Sequence, residues 1–294
     1  MTEPTANRTE IFNQYRPLLF SIAYRMLGSA MDAEDMVQDA FLRWQAADTG
    51  AIASPKSYLA SVVTRLCIDQ LRLASVQRET YIGPWLPEPI LGGVSAGIGN
   101  EEMLSESLSM AFLILLESLS PAERAAFLLR EVFEYEYAEI AAILDKTEAN
   151  CRQMVKRAHE RLQARRHRFE VSPAQQQQLV MQFAQACASG DLDGLLAVLD
   201  KDVIEWSDGG GKVHAALNPI YGVEKVVRFL LAIFKNPPSG YTAQFAQVNN
   251  QLGIILYHDK QPYSVTQFDF SPKQILNIYV MMNPDKLRSI PPLP

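Results

Sequence analysis

Apolar residues recur every three or four positions through most of the first 170 residues and then every second position over roughly the last ninety, which predicts helices first and a sheet afterwards. Ile11 to Leu27 carries Ile11, Tyr15, Leu18, Leu19 and Ile22 on one side, and Gly28-Ser29 stops it. DAEDMVQDAFLRW follows, with Asp32 as the expected cap and Met36, Val37, Ala40, Phe41 and Trp44 as the inward side. Ser54-Pro55 pairs an N-cap serine with a proline at the first helical position, opening PKSYLASVVTRLCIDQLRL. Ser120-Pro121-Ala122-Glu123 is a capping box in the same style. From Tyr137 the pattern predicts two short helices around a tight break. Ile140, Ile143 and Leu144 face inward on the first, Asp145-Lys146 interrupts, and Thr147 caps a second whose Cys151, Val155, Ala158 and Leu162 form a narrow stripe.

Ser172-Pro173 begins another pair of helices, and the period then shortens. Strands are predicted around Val203 to Trp206, in a short piece after a glycine turn, and over Tyr241 to Val248, Ile254 to Tyr257, Tyr263 to Phe270 and Ile275 to Met281, with a helix from Val223 to Phe234 between them. Helices followed by a curled antiparallel sheet make an α+β domain. Between the two helical groups, Tyr81 to Gly99 is rich in Gly and Pro and reads as a linker rather than packed structure. Within it Trp85 to Ile90, WLPEPI, is a stiff extended segment whose large aromatic suits docking in a groove.

The chain has 294 residues, 48% hydrophobic, and a formal net charge of −6. Against that acidic total the last of these N-terminal helices is basic. Arg152, Gln153, Lys156, Arg157 and Arg161 fall largely off its apolar stripe, and Lys146, Arg165, Arg166 and Arg168 flank them. A basic helix after a capped helix and a tight turn is a helix-turn-helix placed to dock beside phosphates. Glu34, Asp35, Gln38 and Asp39 leave the opposite kind of surface, acidic and exposed. No apolar run reaches the roughly 20 residues that span a bilayer, and MTEPTANRTE lacks the apolar core of a signal peptide, so a cytoplasmic location is expected. Cys67, Cys151 and Cys187 are too few and too far apart for a disulfide framework or a metal site, and neither metal nor cofactor is expected.

The combination resembles the bacterial extracytoplasmic-function sigma factors of the sigma-70 family over about the first 170 residues. DAEDMVQDAFLRW is similar to the sigma-2 segment that binds the clamp helices of the polymerase β′ subunit. SPKSYLASVVTRLCIDQLR is similar to the segment that engages the −10 element, and LLESLSPAERAAFLLREVFEYEYAEIAAILDKTEANCRQMVKRAHERL to a sigma-4 domain. The resemblance implies that Glu34, Asp35, Gln38 and Phe41 lie at the core-polymerase contact. It implies promoter contacts for Arg152, Gln153, Lys156 and Arg157 at the −35 element, while Lys56, Arg65 and Arg72 on the helix after Ser54 and Arg161 on the basic helix are expected as further DNA-facing cations. Core RNA polymerase, through the β′ clamp helices and the β flap, and promoter DNA are the partners it implies. An arginine can read a guanine edge through two hydrogen bonds whereas a lysine mainly neutralises phosphate, so Arg152 is expected to specify and Lys156 to anchor.

From Ser172 onward the element order resembles the SnoaL-like α+β cone domains, which a subgroup of these sigma factors carries as a C-terminal extension. Three short features place the chain in that subgroup: Trp85-Leu86-Pro87-Glu88-Pro89, Asp208-Gly209-Gly210-Gly211-Lys212, and Asn283-Pro284-Asp285-Lys286. In the subgroup the extension stands in for a separate anti-sigma factor, so these residues are expected at a regulatory interdomain contact. Lys212 is followed by Val213 rather than Ser or Thr, which excludes a phosphate-binding loop. A plain turn and a close approach by another segment both fit the glycines. The expected organisation is sigma-2 over 1–80, linker over 81–103, sigma-4 over 104–170 and the SnoaL-like domain over 171–294. Two alternatives from other classes remain: a ligand-sensing helix-turn-helix regulator, and an enzyme drawing on Glu205, Asp208, His214, His258 and Asp269 in a C-terminal cavity. A small-molecule ligand of that domain is left open.

Overall fold

The computed structural model describes residues 8–48, 52–78, 80–92, 107–163, 171–234 and 240–294. These divide into two compact units. The first comprises residues 8–78, 107–108 and 112–163, the second residues 80–92, 109–111 and 171–294.

The first unit is helical. α1 (Arg8–Leu27), α2 (Ala30–Ala46) and α3 (Pro55–Arg78) pack together through Leu18, Leu19, Ile22, Val37, Ala40, Leu59 and Val63. The buried Trp44 donates its indole N–H to the carbonyl of Arg8 at 2.8 Å, which satisfies its one polar atom inside the core. Ser29, not Asp32, caps α2, its hydroxyl accepting the Asp32 amide. The reason is upstream: Gly28 at φ 67 ends α1 and leaves Ser29 extended, three residues ahead of the Asp32 amide, which no carbonyl of the helix can reach. α4 (Met110–Leu116) and α5 (Pro121–Phe127) follow, α5 with the expected capping box. α5 runs into one π-turn, Leu128–Val132, before α6 (Tyr137–Leu144) and α7 (Glu148–Gln163).

In the second unit α8 (Pro173–Ser189), α9 (Leu192–Val198) and α10 (Val223–Phe234) cover one face of a six-stranded sheet. Its strands are β1 (Leu199–Asp208), β2 (Ile220–Tyr221), β3 (Tyr241–Val248), β4 (Gln251–His258), β5 (Gln261–Phe270) and β6 (Ile275–Met281), ordered β2-β1-β6-β5-β4-β3. The sheet is mixed rather than wholly antiparallel, because β1 and β6 pair in parallel while all other neighbours are antiparallel. The antiparallel meander from β3 to β6 ends beside β1 after α10 has carried the chain to the far edge, and that fixes the direction of β6. Phe183, Leu195, Val203, Val226, Leu230, Phe268 and Ile278 form the core between helices and sheet.

Segment 80–92 belongs to this second unit and is packed, contrary to its reading as a linker. Leu86, Pro87, Glu88 and Pro89 are buried, and Leu91 forms a β-bridge with Val248. Prolines lower the entropy that an extended chain loses on docking, so the composition that signals a linker also suits a fixed strap. The rest of the predicted linker, 93–103, and Arg165, Arg166 and Arg168 lie outside the described residues.

Candidate nucleic-acid interface and a linker clamp

α6 and α7 form the helix-turn-helix. Asp145 takes the left-handed conformation at φ 52 and ends α6, and the Thr147 hydroxyl accepts the Asn150 amide at 3.3 Å to start α7. The buried stripe of α7 is Cys151, Met154, Val155, Ala158 and Leu162. Arg152, Gln153, Lys156, Arg157 and Arg161 are all exposed on its other sides.

These five do not stand alike. Arg157 and Arg161 reach the buried carboxylate of Glu123 at 3.5 and 2.7 Å, on the capping box of α5. Burial by itself would raise the Glu123 carboxyl, but the Ser120 hydroxyl and amide and these two guanidiniums outweigh it and hold it below the ordinary carboxylate value. The pair therefore fixes α7 against α5. Lys156 has the exposed Glu160 at 3.9 Å as its ion-pair partner among the described residues. Arg152 pairs with Glu148 at 2.8 Å and lies over the ring of Tyr137.

On α2, Glu34, Asp35 and Gln38 are exposed together and Phe41 is half-buried, edge-on to Phe12 at 4.9 Å. On α3 the basic flank is occupied from within the chain. Arg65 donates to the carbonyls of Ile143 and Ala142 at 2.8 and 3.0 Å, capping the C-terminus of α6, and Lys56 lies over the Tyr135 ring. Arg72 stays at the surface beside Asp69. Two buried arginines complete this contact between the two helical groups. Arg124 donates to the carbonyl of Met26 at 2.6 Å, and Arg25 donates to Ser107 at 2.7 Å and faces the Phe133 ring. Desolvation lowers both guanidiniums, Arg25 to about 9 and Arg124 to about 10.

In the second unit the three short motifs meet at one carboxylate. Asp208, fully buried at the end of β1, accepts the Tyr81 hydroxyl at 2.5 Å, the Leu86 amide at 2.9 Å, the Gly210 amide at 3.0 Å and the Lys286 ammonium at 2.8 Å. Its carbonyl accepts the amides of Met282 and Asn283. Lys286 also donates to the Leu86 carbonyl at 2.5 Å and lies 4.2 Å from the Trp85 ring centre, a cation over an aromatic face. Asn283 donates to the Tyr81 hydroxyl at 2.9 Å, and Lys212 pairs with Asp285. Burial, followed by the bond to Asp208, pushes the Tyr81 phenol above its ordinary value. Further along the strap, Ile90 and Asn249 exchange hydrogen bonds at 3.0 and 2.8 Å, and Gly92 donates to Gln247 at 2.7 Å.

The comparisons follow this division. Residues 11–76 match the Sigma-70 region 2 family and residues 109–162 the Sigma-70, region 4 family. The chain is 35% identical over 292 residues to the ECF RNA polymerase sigma factor SigJ of Mycobacterium tuberculosis, covering 95% of this chain and 93% of that protein. It is 32% identical over 276 residues to the probable ECF RNA polymerase sigma factor SigI of the same species, covering 93% and 92%. The crystal structure of M. tuberculosis SigJ superposes with a TM-score of 0.77 at 32% identity, over 98% of this chain and 100% of that one. The chain is an extracytoplasmic-function sigma factor.

A sigma factor of this family binds core RNA polymerase and promoter DNA and directs transcription initiation, and here the sigma-2 and sigma-4 helices are followed by a SnoaL-like α+β domain. No helix among the described residues is long and apolar enough to cross a membrane. Reading the sequence missed three residues of the sigma factor's clamp and helix-turn-helix: Tyr81, Asn249 and Glu123. Asn249-Asn250 carried a signal, since paired asparagines between two alternating segments mark a turn with positive φ, and both adopt it. Tyr81 carried none beyond standing just ahead of WLPEP. The strap's deepest anchor is Leu86, 1% exposed, rather than Trp85, whose ring is half-buried against Lys286.

Proposed function

We propose that this sigma factor engages the β′ clamp helices through Glu34, Asp35, Gln38 and Phe41, the β flap through its sigma-4 helices, the −35 element through Arg152, Gln153 and Lys156, and the −10 region through the basic flank of α3. Its SnoaL-like domain restrains it in cis. The observation that carries the restraint is the convergence of Tyr81, Leu86, Lys286 and Gly210 on Asp208. The chain passes from α3 to the sigma-4 helices by way of residues 80–92, so docking this segment on the C-terminal domain restricts how far the two can separate. Sigma-2 and sigma-4 are then held near each other, in an arrangement where Arg65 serves α6 rather than promoter DNA. Polymerase binding shifts this equilibrium by favouring the released state.

In this reading the C-terminal domain acts as a regulator. Of the five residues considered for proton transfer four are engaged separately, Asp208 in the clamp, Glu205 with Ser207, Asp269 with Asn277 and His258 stacked on Tyr241, and His214 is exposed. The test is run-off transcription with bacterial core polymerase on a promoter from the gene's own neighbourhood. It compares the full chain, the chain ending after Glu170, and Leu86→Asp in the full chain. Specific transcripts that rise in both altered forms support restraint by the clamp. Transcripts unchanged by Leu86→Asp remove the strap from regulation, and failure of every form to bind core polymerase removes the proposed subunit contacts.

A further inference from the structure

The Tyr137 ring lies beneath two guanidiniums, with the Arg130 Cζ at 4.9 Å and the Arg152 Cζ at 4.8 Å from its centre. Arg130 is itself fixed, donating to the carbonyl of Tyr135 at 3.0 Å and pairing with Glu136 at 3.2 Å. Arg152 is tied on its own helix by Glu148 at 2.8 Å. A chain of contacts thus runs from the backbone after the π-turn, through Arg130 and the ring, to the first exposed arginine of α7.

We infer that Tyr137 is a specificity-determining positioning residue, which holds the Arg152 guanidinium in one plane so that it meets a base edge already oriented. This rests on the reading of Arg152 as a −35 contact. Three physical points support it. A guanidinium reads guanine through two parallel hydrogen bonds, so its plane and not only its charge decides the match. A free arginine side chain loses rotamer freedom when it docks, and a side chain already stacked on a ring loses less. Glu148 occupies one end of the guanidinium and leaves its remaining N–H donors for a base edge. Lys156, paired among the described residues with an exposed carboxylate at 3.9 Å, has no such frame there and keeps the character of a phosphate contact.

The experiment is competition binding of reconstituted holoenzyme to promoters varied one base pair at a time across the −35 element, repeated at several salt concentrations. Arg152→Ala should reduce discrimination at one position by roughly 5- to 150-fold, the range for loss of a bidentate contact. Tyr137→Leu should lose at least about 3-fold of that same discrimination, with the slope of affinity against salt unchanged. Tyr137→Phe, which keeps the ring, should restore it. If Arg152→Ala loses discrimination and Tyr137→Leu keeps it, the positioning role is overturned while Arg152 stands. If Tyr137→Phe behaves like Tyr137→Leu, or Tyr137→Leu weakens all sequences equally, the ring is not orienting Arg152 and the inference falls. If Arg152→Ala leaves discrimination intact, the reading of Arg152 fails and takes the inference with it. Lys156→Ala is the control, expected to weaken every sequence alike and to lower the salt slope by about 1.

Discussion

The Leu86 amide donates to the Asp208 carboxylate at 2.9 Å across 122 residues of chain, and Lys286 closes the same oxygen from the other motif. Asp208 is fully buried and the Lys286 side chain nearly so, which makes the pair sensitive to loss of either member. Removing one partner strands the other charge, at a cost of about 3 to 5 kcal/mol.

Asp208→Ala should therefore lower the stability of the C-terminal domain by about 3 kcal/mol and speed exchange of the Leu86 amide, as read by denaturant unfolding and hydrogen exchange. Adding Lys286→Met to that variant removes the stranded ammonium and should recover at least about 1 kcal/mol. A double variant no more stable than the single one would show that the ammonium is not what the carboxylate neutralises.

Gly210→Ala should damage the clamp by geometry rather than charge. A Cβ at this position would fall 2.6 Å from the Asn283 Cγ, and the backbone is at φ 57, where a side chain is strained. Asn283 would have to leave Tyr81, to which it donates at 2.9 Å. The expected loss is about 1 to 3 kcal/mol in thermal unfolding of the full chain, together with faster exchange of strap amides.

Much of this architecture was legible in the chain. The bounds of α10, β3 and β6 coincide with those that periodicity predicts, because each is a run of one period closed by a glycine or polar stop. What periodicity could not carry was pairing across distance. Nothing local says that β6 runs parallel to β1, or that Asp208 gathers partners from residues 81, 86 and 286. The same limit explains the arginines. Exposure patterns place Arg65, Arg157 and Arg161 with the promoter-facing cations, whereas their present partners are the α6 carbonyls and Glu123, set by tertiary packing.

Arg65→Ala should loosen α6 against α3. The guanidinium makes two hydrogen bonds to carbonyls at a helix end, and because it is exposed the loss is only about 1 kcal/mol. Faster amide exchange in α6 and across the α3 contact, in the free chain alone, is the expected signature. Unchanged protection would mean that the buried Arg25 and Arg124 hold the two helical groups together without it.

Glu205 gives the C-terminal domain a pH dependence of definite sign. Its carboxyl is buried on β1 beside Val203 and its register partner Ile278, and accepts the Ser207 hydroxyl on one oxygen while the other has no partner among the described residues. Desolvation raises it to about 7, against a smaller opposing effect of Ser207. The folded state thus holds this proton more tightly than the unfolded chain does. Its contribution to stability is full below the ordinary carboxyl value, declines as pH rises from there, and is lost by the time pH passes about 7. The shift corresponds to a penalty on the order of 3 kcal/mol for ionising the group in place. Glu205→Gln should accordingly match the parent within about 1 kcal/mol at pH 5 and exceed it at pH 8, the gap opening across that window in urea unfolding. A gap that is constant with pH would show that the carboxyl ionises freely where it stands, and that solvent reaches it through the covering helices.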